Sequence, residues 1–212
     1  LEWTIGLGAM NRAFKAGSWA ASLTRMGPTR GELAGKTVAI LGYGHIGRAV
    51  AHRAHAFAMQ ITAIRRTAPA GNGTEAGDPK PDQTYAIEDV DAALAKCDFL
   101  VIACPLTEQT RGLIDAGRLA RMKADSVVIN VDRARVIDED ALFAALTEKT
   151  IGGAVLDVWT RYPEPGGPDV RPSALPFHEL DNVIMTPHAA AWTDGLIERR
   201  WTVIGENIAR LA

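Results

Sequence analysis

The apolar residues of this chain fall into short continuous runs that alternate with segments in which they recur every three or four positions. Continuous runs are typical of strands buried on both faces of a parallel sheet, and the three-to-four spacing is typical of amphipathic helices. The runs predict strands at 37–41, 61–64, 99–104, 126–131, 153–158 and 183–185. The periodic segments predict helices at 1–16, 48–57, 88–96, 115–122, 138–149 and 197–211.

This alternation predicts the fold class. Parallel strands that alternate with helices are joined by right-handed crossovers, so we expect an α/β fold with a doubly wound parallel sheet of the Rossmann type. Residues 67–84 and 160–182 are rich in Gly, Pro and Asp and are predicted as excursions without regular structure. We divide the chain into a helix with its connector at 1–30, a sheet domain at 31–190 and a C-terminal helix at 191–212.

A glycine-rich turn joins the first predicted strand to the helix that follows it. It consists of Gly42-Tyr43-Gly44-His45-Ile46-Gly47. In this context Gly42 permits the tight turn, Gly44 lets a pyrophosphate approach the backbone, and Gly47 allows the helix to pack closely on the strand. The free N–H groups of the helix N-terminus favour phosphate binding. The pattern predicts a dinucleotide site; a turn that only closes a strand–helix unit is the alternative.

Two arginines at the end of the second strand bear on which dinucleotide is bound. An NAD site usually has an acidic residue about 20 positions after the turn, where it binds the ribose 2′-hydroxyl. Here Arg65 and Arg66 follow Gly47 at 18 and 19 positions. Arginine binds the 2′-phosphate of NADP through charge-assisted hydrogen bonds. We therefore predict that NADP(H) is preferred and that NAD(H) is possible; two solvated arginines are the alternative.

Polar residues follow the later strands at the points where each strand ends. The carboxyl ends of parallel strands face one crevice, in which ligands bind. Arg133 could hold a substrate carboxylate and polarise the adjacent carbonyl, and His188 could exchange a proton with that carbonyl oxygen. The predicted cofactor contacts in these loops are Cys104, Pro105, Thr110, Val131, Asp132 and Asp157.

Each of these residues also has a structural interpretation. Arg133 could simply pair with Asp132 or Asp138, and His188 could be a helix cap or a surface group. Asp157 could be a residue of a strand-end turn, or it could accept a hydrogen bond from the nicotinamide carboxamide.

Several segments resemble the D-isomer-specific 2-hydroxyacid dehydrogenase family. Besides the glycine turn, they are residues 105–110 (PLTEQT), 129–142 (INVDRARVIDEDAL), 153–158 (GAVLDV) and 182–188 (NVIMTPH). The resemblance implies a hydride-transferring oxidoreductase that interconverts small 2-keto and D-2-hydroxy acids, with Arg133 and His188 as catalytic residues. It also implies a homodimer, in which 1–16 is the linking helix, and a substrate domain absent from this chain. A dinucleotide-sensing, corepressor-like protein is the alternative function.

Two departures from the family pattern concern the predicted active site. The family usually has a Glu, followed by Pro, five residues after the Asp of L-D-V, and that Glu pairs with the catalytic His. In this chain the position is taken by Tyr162, or an insertion lets Glu164 reach it. If Tyr162 occupies it, the imidazolium form of His188 has no anionic partner. The Gly that follows the family Arg is Ala134 here, which predicts a negative φ or some strain.

Composition excludes several other classes of function. The net charge is −2 and there is no basic block, so a nucleic-acid partner is not expected. No apolar run approaches the ~18 residues of a membrane span, and no targeting segment is evident, so we expect a cytoplasmic location. Cys97 and Cys104 form no metal or redox motif and are predicted core residues. Because the chain begins at Leu1 within an apolar pattern, we expect it to be part of a longer protein.

Overall fold

A seven-stranded parallel sheet forms the centre of the molecule. The computed structural model describes residues 1–18, 31–66 and 79–211. The strands are β1 (Thr37–Leu41), β2 (Gln60–Arg65), β3 (Gln83–Ala86), β4 (Phe99–Ile102), β5 (Val127–Asn130), β6 (Gly153–Leu156) and β7 (Val183–Met185). They lie in the order β3-β2-β1-β4-β5-β6-β7 and every neighbouring pair is parallel. The chain thus builds outward from β1 in both directions, which confirms the doubly wound prediction.

Helices cover both faces of the sheet. They are α1 (Glu2–Ile5), α2 (Leu7–Lys15), α3 (His45–Ala56), α4 (Val90–Leu94), α5 (Ala116–Leu119), α6 (Glu139–Thr147) and α7 (Leu196–Leu211). One apolar cluster packs α4, α5 and α6 against β4, β5 and β6. A smaller cluster on the other side joins α3 to β1 and β2. None of the helices in the described ranges combines the length and apolar character that a bilayer crossing requires.

Two expectations about regular structure were wrong. Residues 83 and 84 were expected to lie in an excursion, but they begin β3, an edge strand whose first two residues are exposed. An edge strand needs few apolar residues, so the apolar pattern does not reveal it. The single helix expected at 1–16 is divided, because Gly6 adopts a left-handed conformation (φ 66°) and ends α1. The connector at 19–30 and most of the 67–84 excursion lie outside the described residues.

Two helices begin one residue later than expected, because an aspartate caps each of them. The carboxylate of Asp115 accepts a hydrogen bond from the Arg118 N–H at 2.9 Å, and that of Asp138 accepts one from the Ala141 N–H at 3.0 Å. Both residues therefore precede their helices at the N-cap position, where a side-chain acceptor satisfies a free backbone donor.

Asp98, at the amino end of β4, ties the start of the sheet together. Its carboxylate accepts hydrogen bonds from the Thr37 N–H at 2.7 Å and from Lys123 Nζ at 3.0 Å. Lys36 lies 3.5 Å away. Burial opposes ionisation, but these hydrogen bonds and the charges of Lys123 and Lys36 hold the pKa of Asp98 below its usual value.

Replacement of Asp98 by asparagine is expected to lower the free energy of unfolding at neutral pH by about 1–3 kcal/mol, because a charged acceptor of two hydrogen bonds is lost. The depressed pKa means that this stabilisation is present above the unfolded pKa of about 4 and is lost as the pH falls through the folded value. Urea denaturation at a series of pH values from 7 downward should therefore show the free energies of unfolding of wild type and Asp98→Asn converging.

The matched control for this experiment is Asp125→Asn. Asp125 also faces Lys36, at 3.9 Å, but its side chain is 73% exposed, so its replacement should change stability by less than about 0.5 kcal/mol. A difference between wild type and Asp98→Asn that stays constant with pH would show that the charge of Asp98 is not what stabilises the sheet.

Candidate cofactor and active site

The glycine turn lies between β1 and α3, beside the point where the strand order reverses. Gly42 has φ +96°, and a Cβ on it would overlap the Ala103 carbonyl. A Cβ on Gly47 would overlap the Gly42 carbonyl. Gly44 differs from both, because its φ is −85° and a Cβ there would meet no atom of the described residues within 4 Å. Folding thus explains the first and third glycines, whereas the second borders open space.

The N-terminus of α3 opens onto the same space. No described side chain caps this helix, whose N-cap residue is Gly44. His45 and Ile46 are exposed in its first turn. Tyr43 by contrast belongs to the core: it is 6% exposed and its hydroxyl donates to the Pro79 carbonyl at 2.9 Å. Any contact of Tyr43 with a cofactor must therefore come from its backbone.

The two predicted phosphate-binding arginines lie next to this turn. Arg65 is the last residue of β2, and its guanidinium carbon is 5.0 Å from the centroid of the Tyr43 ring. Arg66 follows it and is exposed. The Gly42 N–H donates to the Ile64 carbonyl at 3.0 Å, so the end of β2 is fixed to the glycine turn. The structure therefore places Arg65, with Arg66 next to it in sequence, beside the glycine turn.

In the loop after β4, two predicted cofactor contacts, Thr110 and Cys104, have buried side chains. Thr110 is buried, and its hydroxyl donates to the Pro105 carbonyl and accepts from the Thr107 N–H, both at 2.8 Å. Burial, with a contribution from Asp132, raises the pKa of the Cys104 thiol to about 11, so it stays protonated at neutral pH. Thr110 and Cys104 shape this loop, which leaves its backbone and the exposed Pro105 for ligand contacts.

The loop after β5 carries Arg133 and fixes its backbone. The buried Asn130 side chain donates to the Arg133 carbonyl at 3.0 Å and accepts from the Asp132 N–H at 3.2 Å. Arg133 Nη1 donates to the Asp132 carbonyl and carboxylate, both at 2.8 Å. The pairing of Arg133 with a neighbouring carboxylate is thus present, although the Arg133 side chain remains 59% exposed. The half-buried Val131 precedes this pair.

Two further features of this loop follow from burial and backbone geometry. Burial raises the pKa of Asp132, and the charge of Arg133 opposes the rise. Ala134 begins a short 3₁₀ turn and is not among the described non-glycine residues with positive φ, which are Ala58, Lys149 and His188. The replacement of the family glycine by Ala134 is therefore accommodated without a left-handed conformation.

Asp157, at the end of β6, holds the loop that carries His188. Its carboxylate accepts hydrogen bonds from the Thr186 hydroxyl at 2.6 Å, the Ala189 N–H at 2.8 Å and the Ala190 N–H at 3.0 Å. Although burial opposes ionisation, these bonds lower the pKa of Asp157. Of the two interpretations of Asp157, the structure displays the local one: the carboxylate binds the Thr186 hydroxyl before His188 and the backbone after it. The φ of His188 is +57°.

Tyr162, and not Glu164, lies against His188. The centroids of the two rings are 5.5 Å apart. Glu164 is exposed in a turn in which its carbonyl accepts from the Gly167 N–H at 2.9 Å, and it forms no ion pair with His188 among the described residues. The structure therefore does not bring the predicted catalytic Glu164 to the site.

The loops after β5, β6 and β7 meet at one cavity of about 710 Å³. Arg133, Tyr162 and His188 line it, together with Arg200 of α7. Arg200 cannot be identified from the sequence, because only the position of α7 brings it to the cavity. The structure also shows that Asn130 and Trp159 fix the loops from buried positions through their hydrogen bonds. Among residues 1–18, 31–66 and 79–211, no group of three or more His, Cys, Asp or Glu residues could hold a metal ion.

Comparison with known proteins identifies relatives of this domain. The family model described as D-isomer specific 2-hydroxyacid dehydrogenase, NAD binding domain, matches residues 1–190. Glyoxylate/hydroxypyruvate reductase A HPR2 of Arabidopsis thaliana is 39% identical over 163 residues, which are 76% of this chain and 46% of that protein. Glyoxylate reductase of Korarchaeum cryptofilum is 33% identical over 201 residues, 93% of this chain and 55% of that protein.

A solved structure shows the same architecture. It is a D-isomer specific 2-hydroxyacid dehydrogenase from Xanthobacter autotrophicus Py2 in complex with NADPH and MES, with a TM-score of 0.76 and 30% identity. The match covers 99% of this chain and 78% of that one. This chain spans about half the length of the two curated relatives. It belongs to the D-isomer specific 2-hydroxyacid dehydrogenase family, of which it contains the nicotinamide-cofactor binding domain.

Proposed function

We propose that this protein is an oxidoreductase that prefers NADP(H) and interconverts a small 2-keto acid and the corresponding D-2-hydroxy acid. The observation that carries the proposal is the convergence of Arg133 and His188 on one cavity at the carboxyl ends of the strands. The curated relatives named above are glyoxylate and hydroxypyruvate reductases. Glyoxylate and hydroxypyruvate are therefore the first substrates to test.

The residues around the glycine turn fit a dinucleotide. Gly44 borders open space, and no packing contact among the described residues requires a glycine at this position. The N-terminus of α3, which no described side chain caps, offers backbone donors to a pyrophosphate. Arg65 and Arg66 place positive charge at the end of β2, where a ribose 2′-phosphate would be bound. A carboxylate at that position would repel the phosphate, so the two arginines support a preference for NADP(H).

The bound nicotinamide supplies or accepts the hydride. Arg133 uses Nη1 for Asp132, which leaves Nη2 and Nε without a partner among the described residues. These two nitrogens can bind a substrate carboxylate with a pair of parallel hydrogen bonds and polarise the neighbouring carbonyl. His188 donates a proton to the carbonyl oxygen during reduction and removes it during oxidation.

We also expect the protein to be a homodimer. Leu7 and Phe14 on α2 are 62% and 48% exposed, so this helix presents an apolar surface at which a second copy could bind.

The presence of Arg133 and His188 in one cavity favours the enzyme over a dinucleotide-sensing corepressor, because sensing alone does not require a proton donor beside a carboxylate-binding group.

Gly44→Ala is expected to weaken NADPH binding by about ten- to a hundredfold, because a methyl group would occupy the space that brings phosphate close to backbone donors. Stability should be unchanged, since no atom in the described part of the chain lies within 4 Å of that methyl group. Gly47→Ala is the matched comparison and should lose about 1–3 kcal/mol of unfolding free energy through its overlap with the Gly42 carbonyl. For each variant, urea denaturation measures the free energy of unfolding and tryptophan-fluorescence titration measures the affinity for NADPH. Unchanged affinity in Gly44→Ala would place the pyrophosphate elsewhere.

Arg65→Ala is expected to weaken NADPH binding by about ten- to a hundredfold, the equivalent of one or two charge-assisted hydrogen bonds. NADH binding should change by less than about threefold, because NADH has no 2′-phosphate. Arg121→Ala is the control: Arg121 follows α5 and pairs with Asp91 of α4 at 3.2 Å. Equal losses for the two cofactors would remove Arg65 from the discrimination between them.

His188→Asn is expected to reduce turnover of glyoxylate and hydroxypyruvate in the full-length protein by about a hundredfold or more, because asparagine cannot exchange the proton. Asparagine tolerates the left-handed backbone at this position, so the loop is preserved. NADPH affinity should stay within about twofold. His178→Asn, at a histidine paired with Glu179 at 3.6 Å, is the control. Full turnover in His188→Asn would exclude the proposed proton donor.

A further inference from the structure

An aromatic side chain lies against the imidazole of His188. The rings of Tyr162 and His188 are tilted by 54° with their centroids 5.5 Å apart. The Tyr162 hydroxyl accepts a hydrogen bond from the Trp159 N–H at 3.1 Å. Tyr162 is 49% exposed, so little other packing fixes its ring.

Trp159, to which Tyr162 is tied, is itself firmly held. It is 7% exposed, its indole N–H donates to the Thr186 carbonyl at 2.9 Å, and its ring packs edge-on against the buried Phe177. Thr186 lies two residues before His188. The hydrogen bond from Trp159 therefore connects the Tyr162 ring to the same rigid framework that carries the histidine loop.

Tyr162 lines two cavities. One is the 710 Å³ cavity that His188 also lines, and the other is a mostly apolar cavity of about 370 Å³, whose lining includes Arg161, Met185 and Pro187. Because the second cavity leaves room for the ring to turn away from His188, the hydrogen bond from the Trp159 N–H is what keeps the two rings together.

The charged groups near His188 are engaged with other partners or lie on other elements. The Asp157 carboxylate accepts three hydrogen bonds from the histidine loop, and its charge also interacts with His188 without direct ring contact. Asp132 pairs with Arg133. Arg200, on α7, lines the cavity and adds positive charge. No carboxylate among the described residues forms an ion pair with His188. The group in direct ring contact with the imidazole is therefore an uncharged phenol.

We propose that Tyr162 is a positioning residue that orients the His188 imidazole toward the substrate by ring contact, in place of a carboxylate partner. This inference rests on the proposed role of His188 as proton donor. An uncharged partner does not favour the imidazolium form, whereas a carboxylate does. The rate of keto-acid reduction should consequently decline at a lower pH in this protein than in a variant with a carboxylate at position 162.

The test uses the full-length protein, NADPH, and glyoxylate or hydroxypyruvate over a range of pH. In Tyr162→Phe we expect kcat to fall about three- to tenfold through loss of the orienting hydrogen bond, with KM for the keto acid within about twofold. In Tyr162→Glu we expect the alkaline limb of the pH profile to move upward by about one unit or more. Tyr85→Phe is the control. The Tyr85 hydroxyl, on β3, accepts a hydrogen bond from Lys96 Nζ at 3.2 Å, so its loss should change neither kcat nor the alkaline limb of the pH profile.

Ring contact is measured independently of turnover from the NMR signals of ¹³C-labelled histidine. In Tyr162→Leu, the His188 signal should lose its ring-current shift, while that of His178 should not move; His188→Asn assigns the signal. An unmoved His188 signal, or an unmoved alkaline limb in Tyr162→Glu, overturns the positioning role. Full turnover in His188→Asn would instead defeat the proposed function, and the NMR result would still decide whether Tyr162 holds the imidazole.

Discussion

The close contact between Gly47 and the carbonyl of Gly42 is the constraint on which the cofactor site depends. It allows α3 to begin directly above the carboxyl end of β1, at the place where the sheet changes its direction of growth. Any side chain at Gly47 would push the helix away from the strand. The helix N-terminus would then no longer border the open space beside Gly44, and Arg65 would lose its position beside the turn. Backbone packing and phosphate binding therefore have the same requirement here.

Two largely buried carboxylates tie the strands at opposite ends of the sheet. Asp98 joins the amino end of β4 to β1, and Asp157 joins the carboxyl end of β6 to the loop after β7. Hydrogen bonds lower the pKa of each against the effect of burial. Both contributions to stability are consequently present at neutral pH and are lost in acid. The second tie bears on the proposed chemistry, because it holds the Thr186 side chain before His188 and the backbone after it.

The sequence predicts the parts of the fold whose signal is local. Six strands are continuous apolar runs, and the glycine turn is recognisable from its spacing and its context. β3 was missed because an edge strand exposes half of its residues, and Gly6 was missed because a left-handed residue between two helical turns leaves the apolar pattern unchanged. Arg200 and Trp159 reach the site only through the position of α7 and the β6 loop, which depend on tertiary packing. The burial of Cys104 was predicted correctly, whereas only the structure shows that the Thr110 side chain also faces the interior.

The histidine site shows how a change at one position can be absorbed by its neighbours. A carboxylate beside an imidazole orients the ring and also favours its charged form, and these are separable tasks. In this chain Asp157 secures the backbone of the loop and Tyr162 contacts the ring, while the positive charges of Arg133 and Arg200 share the cavity. The ring contact and the nearby negative charge thus come from two different residues, Tyr162 and Asp157. In the proposed reaction, reduction uses the protonated imidazole and oxidation uses the neutral one, so a carboxylate in place of the phenol at position 162 would favour the two directions differently as the pH changes.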